Sequence, residues 1–322
     1  MSVLVYTENW DGNFKKSTYE AVTYAAQVAN KIGGTVTAVS IGNVEESKLA
    51  ELGKYGADAV VNVSGDAFGQ FSNETYAAAI AQIAKDKNAS VIVVNGTWNG
   101  KSLSPRLSVK LDAGVITEVV DAPTNASPLT VRKKGFSGKA FIDTVSNTGV
   151  TVLQIATNAI GVAENNKSAS IESASPSVEG AKLNHETYNK AAGKISLGEA
   201  EVVISGGRGL KGPENWGMVE ELADLLGAGT ACSKPVADIG WRPHHEHVGQ
   251  TGVAVSPNLY VAIGISGAIQ HLAGVSSSKV MVAINIDPEA PFFKAADYGI
   301  VGDAFDVVPK LIEEVKKFKS SN

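Results

Sequence analysis

The chain has 322 residues, 44% hydrophobic and 19% charged, a balance that makes a compact folded protein rather than a disordered one and gives enough length for two domains. Its 28 basic and 33 acidic residues leave a formal charge of -5, with no single-sign run to mark a nucleic-acid surface. A lone cysteine, Cys232, rules out an internal disulfide framework or thiolate-rich cluster, and no stretch reaches the roughly 18 apolar residues that insert across a bilayer.

In chain order, Val3 to Thr7 reads as a strand with no basic stretch ahead of it, so no targeting peptide is expected and the cytoplasm of a bacterium is the expected location. A helix over 17–32 ends at Gly33-Gly34, and a strand follows over 35–41, which is a βαβ rhythm. It continues with a strand over 58–63, an alanine-rich helix over 74–85, a strand over 90–95 and a helix over 104–111. Strands this uniformly apolar belong to a parallel sheet covered by helices on both faces. The pattern then changes: residues 129–145 and 150–156 read together as an antiparallel hairpin or meander appended to the first unit. The polar segment 162–198, broken by Pro176, reads as a linker and hinge ending near Lys194.

After Glu201, glycines gather at the ends of apolar runs, with 15 of the chain's 33 between residues 201 and 302. Glycine there lets backbone approach a ligand closely, so a cofactor is expected in this half. Ser205-Gly206-Gly207-Arg208-Gly209 follows a strand at 202–204 and precedes a helix over 216–226, so it can aim backbone N–H groups and one cation at a phosphate. It is neither a Walker loop nor a Rossmann fingerprint, and a tight turn with a surface arginine is the plainer reading. Val248-Gly249-Gln250-Thr251-Gly252 comes next. Gly264-Ile265-Ser266-Gly267-Ala268-Ile269-Gln270-His271 then puts small residues and a hydroxyl at an expected helix N-terminus, with Gln270 and His271 one turn in. A buried structural role is the alternative for His271. His244, His245 and His247 lack a second ligand cluster and read as a solvated loop without metal, and Cys232 reads as a small buried residue. A strand over 279–284 and a terminal helix over 305–319 complete the chain.

Gly206-Gly207-Arg208-Gly209, Val248 to Gly252, Gly264 to His271 and Asn285-Ile286-Asp287-Pro288-Glu289-Ala290-Pro291, in this order and spacing, resemble the alpha subunit of electron-transfer flavoprotein. More loosely, Pro105-Arg106-Leu107 and Leu111 to Thr117 resemble that family's N-terminal domain. The resemblance implies an α/β protein of two domains, each a mostly parallel sheet flanked by helices. Residues 1–190 would form a nucleotide-hydrolase-like domain with appended antiparallel strands, serving as scaffold and subunit interface, and residues 199–322 a Rossmann-like FAD-binding domain. It also implies an electron carrier with no substrate chemistry of its own. Such a carrier pairs with a beta subunit that holds AMP, and takes electrons from flavin dehydrogenases, such as those of fatty acid beta-oxidation, to a quinone reductase. Carried over residue by residue, Arg208 and Ser233 contact the FAD, and Gln250 and Thr251, in the loop with Val248 and Gly249, lie along the isoalloxazine. His271 faces the O2 edge of that ring. Ser266, Gly267, Ala268, Ile269 and Gln270 line the ribityl and pyrophosphate path, while Asn285, Asp303 and Ala304 hold the adenosine end.

A donor or protonated His271 beside a cation would favour the negative charge that a flavin develops near N1 and O2 on gaining one electron. The family usually has arginine after the serine at 233, whereas this chain has Lys234, which keeps the charge and loses the planar fork. Two further readings stay open on the residues alone. One is a flavin- or nicotinamide-dependent oxidoreductase with His271 or His245 as acid or base. The other is a nucleotide-binding regulatory module using the first βαβ crevice, for which Asn95 to Gly100 is a faint loop candidate.

Overall fold

The computed structural model describes residues 1–136, 138–183 and 195–321; the linker end expected near Lys194 lies outside the described residues. The chain divides into two compact units, Met1–Asn189 and Lys190–Asn322.

The first unit begins with β1 (Ser2–Tyr6), α1 (Lys16–Ile32), β2 (Thr35–Ile41), α2 (Glu46–Glu51) and β3 (Ala59–Val63). It continues through α3 (Asn73–Asp86), β4 (Ala89–Asn95), α4 (Trp98–Leu111), β5 (Gly114–Val119), β6 (Leu129–Gly135), β7 (Ala140–Val145), β8 (Thr151–Ile155) and β9 (Ser170–Ala174). With a two-residue strand at Asn125–Ala126, these make a ten-stranded mixed sheet in the order β7-β6-β5-β8-β4-β1-β2-β3-β9. Alternate residues of β1 feed opposite cores: Val3 and Val5 pack under α1, Leu4 and Tyr6 against the α3 and α4 side. That two-sided burial is the physical reason the strands read as continuous apolar runs. Gly33 closes α1 in the left-handed region at φ 68°, its N–H donating to the Ala29 carbonyl.

Three features differ from the sequence expectation. Helix α4 starts at Trp98, six residues before 104, because the Thr97 hydroxyl accepts from the Gly100 N–H at 3.1 Å and caps it; two glycines and Pro105 disguise this helix as a loop. Strands β6 and β7 form the expected antiparallel hairpin, but β8 is not part of it. It inserts in parallel between β4 and β5 with all five residues buried, so it is a central strand of the sheet. Strand β9, inside the segment read as linker, adds in parallel to the β3 edge; its largely exposed Ser-Ile-Glu-Ser-Ala sequence carries no apolar signal because little of it is covered. At the carboxyl ends of β1 and β4, the buried Glu8 carboxylate accepts from Thr97 Oγ1 at 2.6 Å and Asn99 Nδ2 at 2.5 Å. A carboxyl group already bound to two side chains thus fills the crevice that a nucleotide phosphate would need.

The second unit contains β10 (Val202–Gly206), α5 (Gly217–Leu226), β11 (Gly229–Cys232), α6 (Lys234–Asp238), β12 (Leu259–Ile263), α7 (Ile269–Val275), β13 (Val280–Asn285), β14 (Tyr298–Val301) and α8 (Ala304–Ser321). Its five strands are all parallel, in the order β11-β10-β12-β13-β14. Trp216, Leu222, Val308 and Ile312 cover one face, and Tyr260, Val275 and Phe292 belong to the apolar cluster of the other. The chain leaves β10 toward β11 and returns on its other side as β12, so the strand order reverses between β10 and β12. In an open α/β sheet, ligands bind outside the carboxyl ends at such a reversal.

Candidate functional site: a glycine-walled cavity at the sheet reversal

Backbone contacts draw the loops after the strands together at this reversal. Beyond β10, Gly207 N–H donates to the Ile263 carbonyl at 2.8 Å and Gly209 N–H to the Gly264 carbonyl at 3.1 Å. A Cβ on Gly207 would lie 2.1 Å from the Gly264 oxygen, so no side chain fits there. Gly264 itself has φ 63°, the left-handed region that glycine enters at little cost. Beyond β11, the Cys232 carbonyl accepts from Val248 N–H at 3.0 Å, and Gln250 N–H reaches the Gln270 carbonyl of α7 at 2.7 Å. Gly274 lets α7 close on this turn, since a Cβ there would sit 2.5 Å from Gly249 Cα.

These loops enclose a cavity of about 560 Å³. Of the residues singled out from sequence, Arg208, Ser233, Lys234, Val248, Gln250, Thr251, Ser266, Ala268, Gln270, His271 and Asn285 line it. Gly249 and Gly267 stand behind the wall, Gly249 against Gln270 and His271 and Gly267 against the Phe292 backbone. Ile269 is 78% exposed. Asp303 and Ala304 are outside the lining: Asp303 caps α8 through the Phe305 N–H at 3.1 Å and pairs with Lys211 at 3.3 Å, and Ala304 packs in the core. The Asn285 amide is occupied at both ends, donating to the Ile265 carbonyl at 3.0 Å and accepting from Asp287 N–H at 3.1 Å. Lys234 Nζ lies 3.3 Å from Asp238 Oδ1 with its side chain half exposed, so its charge is shared with a carboxylate as well as with the cavity.

His271 is buried at 7% exposure. Its Nε2 is 2.9 Å from the Tyr260 hydroxyl, and its ring lies 6.0 Å from that of Phe292. Its Nδ1 is buried without a hydrogen-bond partner among the described residues. Burial drives its pKa down to about 4, with nearby His247 pushing the same way and the Val248 backbone opposing, so at neutral pH the imidazole is uncharged and acts as a donor or acceptor rather than a cation.

Gly209, Gly264, Ile265 and Asp287, within the segments singled out from sequence, also line the cavity, whereas Pro235 and His247 are lining residues that sequence reading missed. His247 is a correction: it is not solvated but 5% exposed, in the wall beside His271. His244 and His245, in contrast, are exposed on the preceding turn. That turn is fixed by Arg242, whose guanidinium donates to Glu246 at 2.7 and 2.8 Å and to Glu220 at 3.0 Å while lying over the Trp216 ring. No local pattern announces which histidine of the three turns inward. Cys232 is fully buried, and desolvation first, then Glu246, raises its thiol pKa to about 12, leaving it no thiolate character.

Residues 3–179 match the family model described as Electron transfer flavoprotein domain, and residues 196–276 match Electron transfer flavoprotein FAD-binding domain. The chain is 38% identical over 318 residues to "Electron transfer flavoprotein subunit alpha" of Bacillus subtilis (strain 168), covering 98% of this chain and 97% of that relative. It is 40% identical over 319 residues to the protein of the same name from Syntrophomonas wolfei, covering 97% and 98%. A third, from Pseudomonas aeruginosa, is 36% identical over 318 residues, covering 98% and 100%.

Proposed function

The chain belongs to the electron transfer flavoprotein alpha-subunit family, FAD-binding electron carriers rather than catalysts, and on that premise we propose that the cavity at the reversal between β10 and β12 holds the FAD. The observation that carries this reading is the cavity at the carboxyl ends of the sheet, whose loops close on one another only because a Cβ on Gly207 would strike the Gly264 backbone and one on Gly264 the Gly209 backbone. The buried Nδ1 of His271 in the same wall, with no well-formed hydrogen bond among the described residues and only the Val248 backbone beside it, is a second mark of fit, since a poorly satisfied polar atom is costly unless a ligand engages it. Bound FAD supplies one-electron chemistry, which no side chain of this cavity provides.

The chain's own groups bind and orient. Arg208 offers a cation to the pyrophosphate, while the Gly207 and Gly209 N–H groups of its loop are spent on the Ile263 and Gly264 carbonyls. Ser233, Gln250 and Thr251 flank the ring system, and the uncharged His271, held by Tyr260, presents an imidazole to its polar edge. Ser266, Gly267, Ala268, Ile269 and Gln270 follow the ribityl path. The carboxyl ends of the sheet run on from Gly264 past Asn285 to Asp303, which supports an extended dinucleotide with its adenosine end there, beside Ala304. Helix α7 has only seven residues, so the glycine turn before it contributes more donors than a helix dipole does.

The family implies a beta-subunit partner; AMP in that subunit, and docking of flavin dehydrogenases such as acyl-CoA dehydrogenases and of a quinone reductase, belong to the proposal. So do the N-terminal unit's role as scaffold and subunit interface and a cytoplasmic location. Among the described residues no helix is long and apolar enough to cross a membrane. The experiment is anaerobic mixing of the alpha–beta complex with a substrate-reduced acyl-CoA dehydrogenase. Bleaching of the complex's flavin, and none with the acyl-CoA alone, is expected. Bleaching by a small substrate without dehydrogenase would favour the direct oxidoreductase instead.

A further inference from the structure

The two cavity imidazoles have different surroundings. His271 is held at Nε2 by the Tyr260 hydroxyl and packed by the Tyr260 and Phe292 rings, with centroids 6.1 and 6.0 Å away. A positive charge on it would face aromatic carbon and no carboxylate. His247 instead sits in a sleeve made by two glycines: a Cβ on Gly252 would lie 2.7 Å from its Nδ1, and one on Gly249 would lie 3.2 Å from its Nε2. The Gly249–Gly252 turn therefore closes over this ring, which stands in the cavity wall.

The groups that face His247 come from every neighbouring element. Lys234 and Asp238 of α6 act on it with opposite sign, His244 comes from its own turn, and His271 from α7. Arg208 and Asp287 share the cavity wall, and the adjacent Glu246 carboxylate is turned away into the Arg242 fork. Burial, Lys234 and His244 keep its pKa below the ordinary value, with Asp238 alone opposing. The ring is thus uncharged near neutrality, yet close enough to charged groups for one added negative charge to reverse the balance.

We propose that His247 is the proton-holding residue of this site: it takes a proton from solvent when negative charge enters the cavity and returns it when that charge leaves. This rests on the reading that FAD occupies the cavity. The step balances without bond-making on the cofactor. One electron arrives from a reduced flavin dehydrogenase, one proton moves from water to the bare imidazole nitrogen of His247, and both leave in the reverse step. The site then gains an electron without gaining net charge, and electron affinity depends on pH through this residue.

The test uses the alpha–beta complex with FAD bound. Spectroelectrochemical titration from pH 5.5 to 8.5 should show a midpoint potential that falls as pH rises, and His247→Gln should remove at least half of that slope while FAD is retained. In the wild type, with histidine labelled by nitrogen-15, the His247 resonances should titrate at higher pH after full reduction with dithionite than before, and those of His271 should not. Equal slopes in wild type and variant, or an unmoved His247 titration, would overturn the proposal while leaving the cavity reading intact. If adding FAD to the flavin-free complex shifts neither imidazole, the cavity reading itself fails and the proposal with it.

Discussion

The Tyr260 hydroxyl lies 2.9 Å from His271 Nε2, and both residues are buried between the sheet and α7. Because this contact claims one ring nitrogen, it fixes which edge of the imidazole remains for a ligand. Tyr260→Phe leaves Nε2 without a partner, which costs roughly 1–3 kcal/mol. The variant is expected to unfold at lower temperature and to bind FAD less tightly, while Tyr298→Phe, on the exposed edge strand, should do neither. Calorimetry and FAD titration of the reconstituted complex measure both effects.

His271 also predicts a pH dependence of stability. Its folded pKa of about 4 lies below its unfolded value near 6.5, so between these values the unfolded chain binds more protons than the folded one. Stability is therefore full above pH 6.5 and is lost as pH falls toward 4, by about 3 kcal/mol at most. Flavin-free protein melted at pH 7 and pH 5 should show this loss, and His271→Asn should show less of it. A wild-type melting point unchanged over that range would contradict the buried neutral imidazole.

Arg242 and Glu246 test how the site is positioned. Glu246 is nearly inaccessible, and Arg242→Met would strip the guanidinium from its buried carboxylate, which costs about 3–5 kcal/mol. Replacing both residues with methionine should recover much of that loss, because the buried carboxylate is then gone too. A double variant as unstable as the single one would show that the fork contributes through packing instead.

Much of the site is legible in the sequence because close backbone approach demands glycine, and glycines at strand ends survive as a pattern. Gly207, Gly249 and Gly264 mark three of the walls before any coordinates are known. His247 is not legible, since its inward turn depends on the Arg242 fork reaching Glu220, 22 residues away in the chain. In the first unit, β1 to β4 follow from apolar runs, whereas the insertion of β8 between β4 and β5 is a choice of partner that composition does not record. The capped start of α4 was hidden for a similar reason: one hydroxyl at Thr97 outweighs two glycines.

Lys234 carries a substitution prediction. Arginine at this position would add a planar fork of donors that a single ammonium lacks, even with Asp238 drawing part of the charge. Lys234→Arg should therefore raise the yield of one-electron-reduced flavin in a stepwise reductive titration. Equal yields would remove the reason for putting Lys234 against the flavin.

The central claim is that the loops packed through glycine at the β10–β12 reversal form the cavity that takes FAD. It is tested most directly by co-expressing this chain with its beta subunit and counting the FAD released on acid precipitation, for the wild type and for two glycine variants. Gly207→Ala pushes a methyl group into the Gly264 carbonyl, whereas Gly217→Ala meets nothing within 4 Å. The account predicts a yellow complex with about one FAD for wild type and Gly217→Ala, and a pale complex for Gly207→Ala, with all three complexes assembled. A colourless wild-type complex, or full FAD content in Gly207→Ala, would contradict it.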